Sequence, residues 1–333
     1  MSFSQVGIVG AGSWGTALAL LLHGNGLPVT LWGHDAAQMS RVAEERENRS
    51  YLPGIPLPET LRLTSELEDL GQCDLILLVT PSKALREVAA RLSTISLRQD
   101  AVLLSCTKGV ERGSGLRMSE ILAECLPAQL VAVLSGPSHA EEVVRKMPTA
   151  VVVGCTDAEI AQRLQTAFSS RSFRAYTNSD VAGVELGGAL KNIFALAAGV
   201  SDGLGLGDNS KAALVTRALA ELSRLGEALG GQHATFQGLS GIGDLMVTCF
   251  SRHSRNRLVG ERLGRGEALA AIGASMNMIA EGVPTTYSAC ECARKLGIDV
   301  PIITQIRALL DGTTGPREAM ENLLSRDPRP ENA

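Results

Sequence analysis

Lys191 stands in the stretch GGALKNIFALAAG, residues 187–199, as a single long cation among small and apolar side chains. On a helix it shares a face with Gly187, Gly188 and Ala195, at spacings of three or four residues. A lysine so placed can steady negative charge that develops on a ligand oxygen and then protonate it. The same pattern also suits a lysine on a solvated face whose neighbouring glycines serve helix packing. A glycine inside a helix costs about 1 kcal/mol relative to alanine, so the Gly187–Gly188 pair predicts close approach by another backbone or by a ligand.

A second chemical segment is GLSGIGDLMVTCFSRHSRNRLVGERLG, residues 238–264. Gly238, Gly241 and Gly243 lead to Asp244, and Ser254 stands just before a new helical pattern. As an N-cap, Ser254 would put Arg255 and Asn256 in the first turn, where backbone N–H groups, a guanidinium and an amide converge on a seat for phosphate. An ordinary capped helix with a solvated arginine is the other reading. CTKGV (106–110) and LSGPSHAEEV (134–143) each follow an apolar run. They place Lys108 and Ser138 at the carboxyl ends of strands, where open parallel sheets bind ligands. Ser138 and Glu141 also have the S-x-x-E spacing of a capping box, which predicts that Ser138 caps a helix, with any substrate contact additional.

Six short apolar runs can hold these groups: VGIVG at 6–10, VTLW at 29–32, DLILLVT at 74–80, AVLLSC at 101–106, LVAVLSG at 130–136 and AVVVG at 150–154. Several are continuously hydrophobic, as strands buried on both faces of a mainly parallel sheet are. Beyond residue 178 the period changes to 3.6, with Val181, Val184, Leu190, Ile193, Phe194 and Ala197 on one stripe. The expected architecture is α/β: a Rossmann-type, mainly parallel sheet domain over residues 1–178 and an all-helical domain over 179–333 for substrate binding.

Gly10, Gly12 and Gly15 form G-x-G-x-x-G at the junction of the first strand with a helix. In that context the first glycine permits a tight turn, the second lets backbone approach a pyrophosphate, and the third lets helix and strand pack closely. A glycine-rich turn without a ligand is the alternative. At the end of the second strand come Gly33, His34 and Asp35. Gly33 leaves room and His34 can meet a 2'-phosphate, which favours NADP; Asp35 could hold the ribose hydroxyls of NAD or cap the next helix. Both cofactors are expected, with NADPH preferred.

The 333 residues are 45% hydrophobic and 20% charged, enough for a sizeable core and a prior of two domains. The net charge of -4 comes without blocks of like charge, which argues against nucleic-acid or polybasic membrane contacts. Seven scattered cysteines without C-x-x-C argue against a disulfide framework, and five histidines lack ligand spacing, so no metal is expected. MSFSQ lacks the basic start of a secretory signal and no apolar run reaches the roughly 18–20 residues of a membrane span, so a cytoplasmic protein is expected.

In chain order, GAGSWGTALA, CTKGVE, SGPSHAEEV, GGALKNIFALAAG, GLSGIGDLMVTCFSRHSRNRLVG and AEGVPTT cover nearly the whole sequence. Together they resemble the NAD(P)-dependent glycerol-3-phosphate dehydrogenases in their bacterial form. The resemblance implies an N-terminal Rossmann domain, a helical C-terminal domain and a homodimer. It implies interconversion of dihydroxyacetone phosphate and sn-glycerol 3-phosphate, the reductive direction feeding phospholipid synthesis. Carried over by motif position, Lys191 is the catalytic lysine, with Lys108 and Asp244 beside it. Gly136, Ser138, Asn192, Ser254, Arg255 and Asn256 are substrate contacts. Ser13, Trp14, His34, Lys108, Ala140, Arg255, Ile279 and Glu281 join the glycines as cofactor contacts. Burial or the charge of Lys108 would lower the pKa of Lys191 towards neutrality, and Asp244 would oppose that.

Two alternatives accompany this reading. A related ketoacid or hydroxyacid reductase, such as a ketopantoate reductase, handles carboxylates in place of phosphate, and the SRHSRN turn speaks against it. A non-catalytic dinucleotide-binding sensor would have little use for Lys191, Lys108 and Asp244 together.

Overall fold

The computed structural model describes residues 2–276, 280–328 and 330. Among the described residues eight strands form one sheet: β1 (Val6–Val9), β2 (Val29–Trp32), β3 (Arg62–Thr64), β4 (Leu75–Leu78), β5 (Val102–Ser105), β6 (Leu130–Ser135), β7 (Thr149–Gly154) and β8 (Phe173–Asn178). Their spatial order is β3-β2-β1-β4-β5-β6-β7-β8, and every neighbouring pair is parallel except β6 with β7. All six expected runs are strands, and β3 and β8 add the two edges.

The apolar runs are strands because both of their faces find a core. In β4, Leu75 and Leu77 pack with Val6, Ile8, Leu18 and Leu22, while Ile76 and Leu78 pack on the other side with Val9, Leu85 and Leu92. Burial on both sides is what removes the usual alternation from such a strand. The helices that connect the strands are α1 (Ser13–Gly24), α2 (Ala36–Glu45), α3 (Leu85–Leu92), α4 (Met118–Cys125), α5 (Ala140–Val144) and α6 (Ala158–Phe168).

The helical domain contains α7 (Val181–Gly203), α8 (Gly207–Ala228), α9 (His233–Phe236), α10 (Asp244–Phe250), α11 (Arg255–Gly264), α12 (Leu269–Ala274), α13 (Gly282–Leu296), α14 (Pro301–Leu310) and α15 (Pro316–Leu324). Asp180 starts α7: its Oδ1 accepts the Gly183 N–H at 2.9 Å, and its Oδ2 accepts the Thr235 hydroxyl at 2.6 Å. From Gly183 to Ser201 every residue of α7 is buried. Leu186, Leu190, Ile193 and Phe194 share a core with Leu222, Leu245, Val259 and Ile303. Among the described helices α7 alone is long and apolar enough to cross a membrane, and 89% of its apolar window is covered by the protein itself.

Helix α11 lies directly against α7, backbone to backbone. A Cβ built on Gly199 would stand 2.0 Å from the Arg257 carbonyl oxygen, and one on Gly260 would stand 2.0 Å from that of Leu196. Gly203 and Gly264 continue the seam, 2.2 Å from the Glu261 oxygen and 2.6 Å from that of Val200.

Candidate active site

Strand order reverses between β1 and β4, and the crevice outside their carboxyl ends is where such sheets take ligands. Gly10 turns there with φ +123°, and a Cβ on it would lie 2.5 Å from the Val79 carbonyl oxygen. A Cβ on Gly15 would lie 1.8 Å from the Gly10 oxygen, whereas one on Gly12 would meet nothing within 4 Å. Packing accounts for the first and third glycines; open space above the start of α1 accounts for the second. Helix α1 has no side-chain cap and no acid in its first turn, so its leading N–H groups suit an anion. These residues fit a dinucleotide pyrophosphate. Gly12→Ala is therefore expected to keep the wild-type melting temperature within a few degrees while weakening NADPH binding by roughly tenfold or more. Gly15→Ala is expected to lower the melting temperature, and a thermal melt beside a fluorescence titration separates the two.

Around this crevice the Ser13 hydroxyl donates to the Tyr51 carbonyl at 2.6 Å, and Trp14 packs half-buried on the sheet core. His34 is exposed. Asp35 caps α2, its Oδ1 accepting the Gln38 N–H at 3.0 Å. A Cβ on Gly33 would stand 2.4 Å from the Met39 sulfur, so packing against Met39 accounts for this glycine.

Deeper in the cleft three ionisable groups meet. Asp244, at the start of α10 and 1% exposed, accepts Lys108 Nζ on Oδ2 at 2.6 Å and Lys191 Nζ on Oδ1. Lys108 also donates to the Gly136 carbonyl at 3.2 Å. Lys191, 6% exposed in the middle of α7, donates further to the Thr248 hydroxyl at 2.6 Å. Burial, assisted by the charge of Lys108, pulls its pKa down to about 7 against the attraction of Asp244. The approach that the glycine pair predicts is by neighbouring chain: a Cβ on Gly187 would lie 2.5 Å from the Ser240 carbonyl oxygen, and one on Gly188 would lie 2.2 Å from the Ser135 hydroxyl.

Ser254 caps α11, its Oγ accepting the Arg257 N–H at 3.2 Å, and Arg255 begins the helix with an exposed side chain. Asn256 is buried: its Nδ2 donates to Asn192 Oδ1 at 2.9 Å and its Oδ1 accepts the Gly282 N–H at 2.9 Å. Ser138 does not cap α5. The N-cap is His139, without a side-chain bond, and the Ser138 hydroxyl turns back to the Gly136 carbonyl at 3.0 Å. The extra residue moves the helix start past the spacing that S-x-x-E requires. Gly136 itself has φ +136°, and Ala140 is the first, buried residue of α5.

Thr248 is a site residue that no sequence motif singles out. Its signal was present, because residues 244 and 248 are one helical turn apart, and the Thr248 hydroxyl donates to the Asp244 carbonyl at 2.6 Å. Glu281, expected against the cofactor, spans the two domains by accepting the Ser82 N–H at 3.0 Å and the Ser82 hydroxyl at 2.5 Å. Ile279 lies outside the described residues.

Comparison with known proteins accounts for both halves. Residues 5–161 match the family described as NAD-dependent glycerol-3-phosphate dehydrogenase N-terminus, and residues 180–321 match its C-terminus. A glycerol-3-phosphate dehydrogenase [NAD(P)+] of Geobacillus thermodenitrificans is 48% identical over 334 residues, covering 98% of this chain and 96% of that one. One from Chlorobium limicola is 47% identical, covering 98% and 99%. The crystal structure of glycerol-3-phosphate dehydrogenase from Coxiella burnetii superposes with a TM-score of 0.93 at 39% identity, covering 97% of this chain and 99% of that one. With both halves matched in order and the near relatives matched end to end, the chain belongs to the NAD-dependent glycerol-3-phosphate dehydrogenase family.

Proposed function

We propose that this protein catalyses the reversible reduction of dihydroxyacetone phosphate to sn-glycerol 3-phosphate with NADPH or NADH, feeding glycerophospholipid synthesis. The observation that carries the reading is the Lys108–Asp244–Lys191 cluster, buried in the same cleft as Ser138 and the capped start of α11. Residues 1–178 then bind the dinucleotide, and residues 179–333 bind substrate and form a homodimer in the cytoplasm. Neither nucleic acid nor membrane insertion has a part in this function.

The nicotinamide cofactor, when bound, supplies the hydride that reduces the ketone carbon. The charge that develops on the former carbonyl oxygen falls to Lys191, whose ammonium stabilises it and then delivers the proton. Asp244 holds both lysine heads in place, and the Thr248 hydroxyl fixes a second direction for Lys191. At the other end of the substrate, Arg255, the N–H groups of α11 and Ser138 bind the phosphate. Asn256 orients Asn192 towards the ligand from within the helical core. In the reverse direction neutral Lys191 takes the hydroxyl proton.

The test is loss of NADPH absorbance with dihydroxyacetone phosphate, with identification of sn-glycerol 3-phosphate as product. Turnover of ketopantoate in its place would overturn the assignment. With Asp35 already engaged as a helix cap and His34 exposed beside it, kcat/KM is expected to be higher with NADPH than with NADH. That preference should shrink in His34→Ala. Efficiency favouring NADH would transfer the ribose role to Asp35.

A further inference from the structure

His139 has a ring nitrogen without a hydrogen-bond partner among the described residues. It precedes α5 as N-cap yet makes no capping bond, and its Nε2 is sealed from solvent without a hydrogen-bond partner. Buried polar atoms are nearly always paired, and one left over beside a binding cleft is the kind that a ligand completes. His139 lies between Ser138 and Ala140, on the sheet-domain side of the cleft. Its ring centroid is 5.8 Å from that of His253, tilted by 52°, and His253 immediately precedes the Ser254 cap of α11. One imidazole from each domain therefore meets the other beside the phosphate seat.

The charged groups that act on His139 are Lys191, Glu141, Glu142 and Asp244, with His253 as its ring neighbour. Burial and the charge of Lys191 hold its pKa below the usual histidine range, against the pull of the three carboxylates. The neutral ring has one N–H to give. We propose that His139 is a further substrate-binding residue, whose Nε2–H donates to the substrate phosphate across the cleft from the start of α11. Reaching Nε2 requires a neighbour to move, and the exposed His253 side chain, whose ring stands 5.8 Å away, is placed to do so. This inference rests on the reading of the chain as a triose-phosphate reductase.

The test uses the full chain with His139→Leu and His139→Gln. His139→Leu is expected to raise KM for dihydroxyacetone phosphate by roughly tenfold with kcat within about twofold of wild type, the effect of one hydrogen bond to a charged group. His139→Gln, which can still present an N–H, is expected to recover most of that loss. Activity towards unphosphorylated dihydroxyacetone and NADPH binding should stay as in wild type for both variants. An unchanged KM in His139→Leu, an equal loss with both substrates, or no recovery in His139→Gln would overturn the proposal. The functional reading fails separately, if wild-type protein does not turn over dihydroxyacetone phosphate. In that event the shift in melting temperature with inorganic phosphate still decides the role of His139, which predicts a smaller shift in His139→Leu than in wild type.

Discussion

Lys191→Ala is expected to lower kcat for dihydroxyacetone phosphate reduction by roughly 10² to 10⁴, with NADPH binding close to wild type. The magnitude is that of a general acid lost from a site whose remaining groups still orient the substrate. The fold should survive, because Asp244 keeps Lys108 as a partner and is not left as a lone buried charge. The pH dependence supplies an independent sign. With a pKa of about 7, Lys191 is charged below neutrality and neutral above it. Reduction needs the ammonium, so kcat/KM in that direction should be level below pH 7 and fall above it. Oxidation needs the amine and should rise over the same interval. In Lys191→Ala both limbs should vanish. A variant that retains most of its turnover would show that another group delivers the proton.

Arg255→Ala is expected to reduce kcat/KM for dihydroxyacetone phosphate by roughly tenfold to a few hundredfold, since charge-assisted bonds to phosphate are worth about 1.5 to 3 kcal/mol each. The guanidinium at the first residue of α11 adds its charge to that of the helix start, and it lies in the field of Glu141 and Glu281. Unphosphorylated dihydroxyacetone presents nothing for it to hold. The decisive quantity is thus the ratio of the two substrates' kcat/KM at saturating NADPH, which should fall in the variant. An unchanged ratio would move the phosphate seat to Gly136 and Ser138. Asn256→Ala is expected to show weaker selectivity with a broader loss, because its amide also holds Asn192 and the start of α13.

Much of the fold could be read from runs that are buried on both faces, because a run such as LILL in β4 has no polar gap to hide it. The edges were harder. β3 has only three residues and exposes Arg62; β8, FRAYTN, alternates buried and exposed positions and carries Arg174 and Tyr176 outward, so its signal is that of a partly solvated strand. In the site, Lys191, Asp244 and Ser254 could be found from local spacing, since a helix face and a cap are local objects. The Asn256 bond to Asn192 spans 64 residues within the helical domain, and the Glu281 bond to Ser82 spans 199 between the domains, so only tertiary packing reveals them. At Gly33 an absent side chain looks the same in sequence whether ligand or sulfur takes the room. At His139 a single residue of helix offset separates a capping box from a serine that turns back to the Gly136 carbonyl.

The glycine seam between α7 and α11 works as a gauge block. Lys191 is carried by one of these helices and Arg255 by the other, and with backbone against backbone at Gly199, Gly203, Gly260 and Gly264 there is no compressible layer of side chains between them. The spacing of the backbone stations that carry these two side chains is thereby set by main-chain dimensions. On the roles proposed for Lys191 and Arg255, a ligand one carbon longer between its carbonyl and its phosphate would strain that spacing. Retooling this scaffold for longer phosphorylated ketones therefore begins at four glycines outside the cleft, where one added methyl group would widen the gap between the jaws.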